Sequence, residues 1–216
     1  MKEYHKIQTV YLRDEKTNYR TLLEGQFALP EFEYLQNNEW IWTEKVDGTN
    51  IRVMFDGEEI KFGGRTNRSQ VPSFLLDKLN VIFNPLKEKF SRMFENGCCL
   101  YGEGYGARIQ KGGGNYRRDV GFVLFDIKIG DWWLKRTDIE NIAKELGIDI
   151  VPIIGRGTLH EMVKLVKTGF KSRWGDFLAE GIVARPAIEL KTRAGRRIIT
   201  KVKHKDFMVK GGMRDE

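Results

Sequence analysis

The chain is 216 residues long and 41% hydrophobic, enough to bury one good core. Its 37 Lys and Arg against 30 Asp and Glu leave a formal charge of +7, which favours a polyanionic partner over a membrane. No apolar run is long enough to span a bilayer, and Met1 to Arg20 is polar and charged, so membrane insertion and secretion are disfavoured and a cytoplasmic location is expected.

The first β-rich pieces are Ile41 to Lys45, Ile51 to Phe55 and Ile60 to Phe62. Asp47-Gly48 and Asp56-Gly57 join them, which predicts an antiparallel meander with Lys45 at a strand end. From Phe74 to Phe94 the apolar residues recur at helical spacing around Pro85. Proline suits a first helical turn and Asn84 can cap one, so two helices are expected there. Cys98 and Cys99 are the only cysteines, and chain neighbours rarely form an unstrained bridge. Two reduced thiols fit the cytoplasm, and without a Cys/His cluster a zinc site is disfavoured.

Leu100 to Tyr105 and Gly121 to Lys128 read as strands. Thr137-x-x-Glu140 and Thr158-x-x-Glu161 both have capping-box spacing ahead of apolar periodicity, with Gly147 and Gly169 as stops. Strands at Ile150 to Ile154, Gly181 to Arg185 and Ile198 to Lys203 complete an α+β pattern without internal repeats or a low-complexity linker.

The segment Glu44-Lys45-Val46-Asp47-Gly48-Thr49-Asn50 sets a lysine at the end of an apolar-rich run, before a carboxylate and a turn-forming glycine. A nucleophilic amine would be held rigidly there. Four segments follow in order: Tyr101-Gly102-Glu103-Gly104, Phe122 to Asp126, Ala179 to Val183, and Ile199 to Lys203. As a set they resemble the covalent nucleotidyltransferase superfamily of ATP-dependent RNA and DNA ligases and mRNA capping enzymes. From about Trp42 to Phe207 the chain looks most like an RNA ligase of the phage nick-sealing type.

The resemblance implies a nucleotidyltransferase (ATP-grasp-like) domain of antiparallel sheets flanked by helices, with no OB-fold. Residues 1–216 are then expected to form a single adenylyltransferase domain. Only Met208 to Glu216 follow the last motif, where relatives continue into an OB-fold or a small helical domain, so a second domain is predicted absent.

The implied function is an ATP-dependent RNA ligase of the RNA-repair kind, with lysine attacking the α-phosphate of ATP. The AMP then passes to a 5′-phosphate, and a 3′-hydroxyl displaces it. Lys45 is the nucleophile in this scheme. A free lysine titrates at about 10.4, so it needs burial or neighbouring cations to become nucleophilic at neutral pH, and Lys201 and Lys203 offer those cations. Their spacing on a strand puts both on one face, with Val202 turned into the core, which suits a clamp on the α-phosphate.

Carried over by position, Glu103 is assigned to the ribose hydroxyls, Phe125 to stacking on adenine, and Glu180 to a Mg2+ or Mn2+ ion reached through water. Glu44, Asn50 and Arg65 join the cofactor-binding set. Strand alternation keeps Phe125 and Asp126 from both facing the purine, so Asp126 is expected to orient a basic partner. The basic, glycine-rich loop Arg108 to Arg118 is expected to meet nucleic acid through Arg117 and Arg118, with Arg52 grouped beside them, while Lys191 to Arg197 reads as a turn between strands.

Plainer readings stand beside these. Phe125 fits a core position, Glu103 a solvated turn, Glu180 a surface pair with Arg185, and the two lysines an exposed strand face. RNA or DNA strand ends are the expected partners, with no membrane, and the sequence leaves the oligomeric state open. A minimal DNA ligase with the same site, a capping enzyme using GTP, and a basic binding module without turnover remain alternatives.

Overall fold

Residues 3–208 are described in the computed structural model, and the tail 209–216 beyond the last motif lies outside them. In chain order the first half holds β1 (Gln8–Thr9), β2 (Tyr11–Arg13), β3 (Leu22–Phe27), α1 (Pro30–Tyr34), β4 (Trp40–Glu44), β5 (Thr49–Phe55), β6 (Ile60–Gly64), α2 (Ser73–Phe83) and α3 (Lys87–Met93). The second half holds β7 (Cys98–Gly106), β8 (Val120–Ile129), β9 (Trp132–Trp133), α4 (Arg136–Leu146), β10 (Ile153–Gly157), α5 (Leu159–Thr168), β11 (Gly181–Pro186) and β12 (Thr200–Lys203). The class is α+β, as expected. The chain divides into two units, Met1–His5 with Val46–Val151 and Lys6–Lys45 with Pro152–Glu216.

In the unit built on Val46–Val151, five strands run in the order β6-β5-β7-β8-β9. Every neighbouring pair is antiparallel. The period-two set Ile51, Val53 and Phe55 turns to one face, where it packs with Leu75, Leu79 and Phe83 of α2, Phe90 of α3 and Ile139 of α4. Pro85 separates α2 from α3 within a short turn over Asn84–Leu86, as the spacing predicts. Asn84 does not cap, because its amide donates back to Asn80 Oδ1 at 3.4 Å. The capping box expected at Thr137 is also missing: α4 already begins at Arg136, whose Nε takes Glu140 at 2.7 Å. Cys98 and Cys99 open β7 as free, buried thiols, and burial pushes both upward, Cys98 well above the ordinary thiol range.

The other unit centres on a sheet ordered β1-β12-β11-β4-β10. Its pairs are antiparallel except β1 with β12. The expected meander holds from β5 to β6 but not from β4 to β5. β4 does not pair with β5 but lies between β11 and β10, and all five of its residues are buried. A strand walled on both faces needs apolar bulk at every position, which Trp40-Ile41-Trp42 supplies. Met162, Val163 and Val166 of α5 pack with Trp40, Trp42, Ile182, Ala184 and Val202. The capping box Thr158–Glu161 starts α5, and Gly169 closes it. Among the described residues no helix is long and apolar enough to cross a membrane.

Candidate active site

Lys45 follows β4 directly, and its backbone N–H donates to Gly181 O at 2.9 Å, so the residue is pinned where β4 meets β11. Its ammonium lies 2.6 Å from Glu180 Oε2, and Lys203 Nζ lies 2.6 Å from Glu180 Oε1. Strand pairing sets this up. Lys203 sits opposite Gly181 and Lys201 opposite Val183, while Val202 between them is fully buried. The alternation expected of Lys201 and Lys203 therefore holds. A side chain at position 181 would run into the Val202 carbonyl, so only glycine lets the two strands approach this closely next to Glu180.

Burial first, then the positive charges of Lys45, Lys203 and Arg13, lower the Lys201 ammonium to about 8, with Glu180 working in the opposite direction. The cations expected from the sequence are thus gathered, but with a carboxylate between Lys45 and Lys203. Glu180, whose plainer reading was a surface pair, takes these two lysines.

Glu44, grouped with the cofactor-binding residues, is held within its own unit. Its side chain is turned into the protein, 1% exposed, and accepts the Ser172 hydroxyl at 2.6 Å and the Arg173 N–H at 2.8 Å. Both oxygens are engaged by the segment just before Glu180, and the Trp174 N–H donates to Ser172 Oγ at 3.1 Å to close the turn. Burial raises the Glu44 carboxyl above its usual range, and the two hydrogen bonds and the Arg173 charge offset this only in part.

Three further residues matter that motif reasoning passed over. Arg13 pairs with Asp206 at 2.9 Å, and Asp206 accepts the Lys203 N–H at 3.1 Å, so an N-terminal strand is tied to the lysine strand. Asp206 was legible as an acid three places after Lys203, a capping spacing. Arg13 and Ser172 carry no local signal.

In the other unit, Asn50 on β5 stands opposite Glu103 on β7. Asn50 Oδ1 is buried and lacks a hydrogen-bond partner among the described residues. Gly48 precedes them, and a Cβ there would strike the Gly104 carbonyl and come within 2.7 Å of Glu103 Cγ. Phe125 is half-buried and lies outside the core set of Phe122, Leu124 and Ile127. The register jumps here: Tyr101 faces Asp126 and Gly102 faces Leu124, which leaves Phe125 as the extra residue of a bulge. The alternation argument is corrected, because Phe125 and Asp126 both meet Tyr4. The Phe125 ring centroid is 5.1 Å from that of Tyr4, and the Tyr4 hydroxyl donates to Asp126 at 2.7 Å.

Arg65 is exposed, and its carbonyl accepts the Tyr4 N–H at 3.3 Å. Arg52, grouped with the nucleic-acid residues, is held inside its sheet. It is 2% exposed, donating to Gly64 O at 2.7 Å and Asn67 Oδ1 at 2.9 Å, so it braces β6 and the turn after it.

The basic loop is fastened rather than loose. Ala107 N–H donates to Arg117 O and Asp119 O, Gln110 to Gly48 O at 3.0 Å, and Asp47 N–H to the Tyr116 hydroxyl at 3.2 Å. Arg117 is spent on Asp119, at 2.6 and 2.9 Å, whereas Arg118 is exposed.

Among the described residues no three Asp, Glu, His or Cys side chains gather to cage a metal. Glu180 is the carboxylate of the lysine cluster. One carboxylate fits a hard divalent cation that draws its other ligands from nucleotide phosphates and water.

Residues 38–203 match the family described as RNA ligase. Comparison with curated proteins gives no match. Among solved structures the chain is similar to an apo mutant of the Naegleria gruberi RNA ligase, with a TM-score of 0.66 and 16% identity, covering 95% of this chain and 58% of that one. A mutant of the same Naegleria enzyme with ATP and Mn gives a TM-score of 0.68 at 17% identity, over 94% and 56%. The Naegleria enzyme with PPi gives 0.64 at 17% identity, over 93% and 57%. At this identity the likeness establishes the fold, and the chain spans less than two thirds of each of these proteins.

Proposed function

The chain belongs to the RNA ligase family, and from that membership we propose that it joins 5′-phosphate and 3′-hydroxyl ends of RNA using ATP, through an AMP-lysine intermediate. The observation that carries this is the cluster in which Glu180 takes Lys45 and Lys203 at 2.6 Å each, with Lys201 half-buried beside them. A binding module needs no such gathering of ammonium groups at a strand end.

In the first step the Lys45 Nζ, having lost a proton, attacks the α-phosphorus of ATP. A phosphorus–nitrogen bond forms, the bond to the β-phosphate oxygen breaks, and pyrophosphate leaves. Lys201 and Lys203 stabilise the negative charge that builds on the α-phosphate. The AMP next passes to a 5′-phosphate oxygen, freeing the lysine. The 3′-hydroxyl then attacks that phosphate, forming the phosphodiester and releasing AMP.

Asn50 and Glu103 are assigned to the nucleoside, its ribose hydroxyls being natural donors for the orphan Asn50 Oδ1. Phe125 is assigned to the face of the base and Arg65 to the ribose and strand ends. Glu180 would hold a Mg2+ or Mn2+ ion, which when bound neutralises phosphate charge. The fold shared with an enzyme solved with ATP and Mn supports both nucleotide and metal. RNA ends are the proposed partner, with DNA ends as the alternative, and the two free buried thiols support a cytoplasmic setting.

Intact-mass spectrometry after incubation with ATP or GTP and magnesium tests the reading. Wild type should gain the mass of one AMP from ATP only, and Lys45→Ala should gain nothing. No gain in wild type with either nucleotide, starting from protein free of bound AMP, would overturn it.

A further inference from the structure

The connection between β11 and β12 leaves the strand that follows Glu180 and returns as the strand carrying Lys201 and Lys203. It is a built hairpin. Thr192 N–H donates to Arg196 O at 2.7 Å, Gly195 N–H to Thr192 O at 2.8 Å, and Arg196 N–H to Thr192 Oγ1 at 3.2 Å. Gly195 takes a left-handed φ of +77° at the end of this three-residue loop, as such hairpins require. Below the tip, Lys191 pairs with Arg197 as a β-bridge, and the Ile198 N–H donates to Leu190 O at 3.0 Å. Ile198 and Leu190 both belong to the core of their unit.

The charges on this hairpin are sorted. Arg197, buried, takes Glu189 in a two-pronged pair whose second contact is 2.9 Å. That pair consumes the hairpin's carboxylate. Lys191, Arg193 and Arg196 are left exposed at the tip, with no side-chain hydrogen bond or ion pair among the described residues. In the loop around Arg117 more of the charge is taken up, since Asp119 takes both Arg117 and Lys78 and Arg108 lies 4.3 Å above the Phe74 ring, although Lys111 and Arg118 stay exposed there.

We propose that the tip of the 186–199 hairpin, through Lys191, Arg193 and Arg196, is a docking surface for the phosphate backbone of the nucleic acid being joined. The proposal rests on the ligase reading and names where its polymeric substrate is gripped. The tip presents three exposed cations on one short turn. It matches a partner whose negative charge repeats along a line, and it releases counterions on contact. The rigid frame means that little ordering of the chain opposes binding. Exposed arginines can also lie against more than one phosphate oxygen at once.

The test is fluorescence anisotropy of a labelled, 5′-phosphorylated nicked RNA duplex, titrated with the 216-residue chain over a series of KCl concentrations. Wild type is compared with Lys191→Ala/Arg193→Ala/Arg196→Ala and, as a milder change in case the triple variant unfolds, with Arg193→Glu alone. Circular dichroism checks folding. The triple variant should bind at least about tenfold more weakly at low salt, with a log–log salt slope shallower by about two to three, and Arg193→Glu should move the same way. AMP transfer from ATP to Lys45 should be unchanged in both. Equal affinity and equal slope in the folded variants, no binding of the duplex by wild type, or binding to anionic vesicles in place of RNA would overturn the proposal. Wild-type protein that binds the duplex through these residues yet never takes up AMP would instead overturn the ligase reading.

Discussion

The Lys45 ammonium and the Glu180 carboxylate meet at 2.6 Å across 135 residues of sequence. With Lys203 on its other oxygen, Glu180 is the anion that lets three lysines share this corner of the sheet. Glu180→Ala should lower AMP-lysine formation by roughly a hundredfold or more. It should also lower stability by about 1–3 kcal/mol, since these side chains are only partly shielded from water. Mass spectrometry and urea titration read the two effects, and wild-type AMP loading in Glu180→Ala would remove Glu180 from the mechanism.

Lys201 gives a pH signature. Its ammonium sits at about 8 instead of 10.5, so the positive charge proposed to face the α-phosphate fades as pH rises through about 8. AMP loading should carry an alkaline limb near that value, and Lys201→Arg should push the limb upward by keeping the charge. Stability runs the other way. Between about 8 and 10.5 the unfolded chain holds the proton that the folded chain has released, so this residue's contribution to stability rises with pH across that window. Lys201→Met should abolish that rise in urea titrations.

Glu44→Gln should cost about 1–3 kcal/mol at neutral pH, because an amide nitrogen would face the Ser172 hydroxyl or the Arg173 N–H, both donors to the carboxylate. The native carboxyl is raised above 4.5, so the folded state keeps a proton that the unfolded state has lost. Stability therefore falls as pH rises from 4.5 towards the raised value, and the glutamine variant should flatten that stretch. An unchanged slope would show that Glu44 does not titrate there.

Arg52→Ala should destabilise by about 2–4 kcal/mol by orphaning the Gly64 carbonyl and Asn67 side chain. Lysine should rescue little, lacking the fork that reaches both acceptors. The salt dependence of RNA binding should not move, in contrast to the hairpin variants. A shallower slope would return Arg52 to the nucleic-acid set.

Phe125→Ala should raise the KM for ATP by about tenfold through the loss of stacking. Phe125→Tyr should stay near wild type. The half-buried ring leaves overall stability little changed. If alanine alters unfolding but not KM, Phe125 is a core residue and nothing more.

Element types were legible because they rest on local pattern: the period-two run Ile51, Val53, Phe55, the break at Pro85 and the Thr158–Glu161 box all appear as the residues imply. Partners were not. The continuous bulk of Trp40-Ile41-Trp42 marks a strand buried on both faces, but nothing local says that it pairs with β11 and β10 rather than with β5. The same limit hid the bulge at Phe125, which exists only as a register shift against β7. At the lysine cluster, motif order brought out Lys45, Glu180, Lys201 and Lys203, whereas Ser172, invisible on its own, emerges only as the buried partner of Glu44. The burial of Arg52 was hidden for a related reason: a guanidinium reads as surface until its acceptors are known.

Gln8 pairs in parallel with Thr200, and the Thr200 hydroxyl donates to Gln8 O at 3.1 Å. On a ribosome, the segment Val46–Val151 is made before β11 and β12, so its antiparallel sheet has every strand it needs to condense early. The sheet bearing the lysines must wait. Its first strand precedes its pairing partner by about 190 residues, a closure of the slow, long-range kind. A nascent chain stalled before Thr200 therefore carries Lys45 without Lys201 or Lys203 beside it.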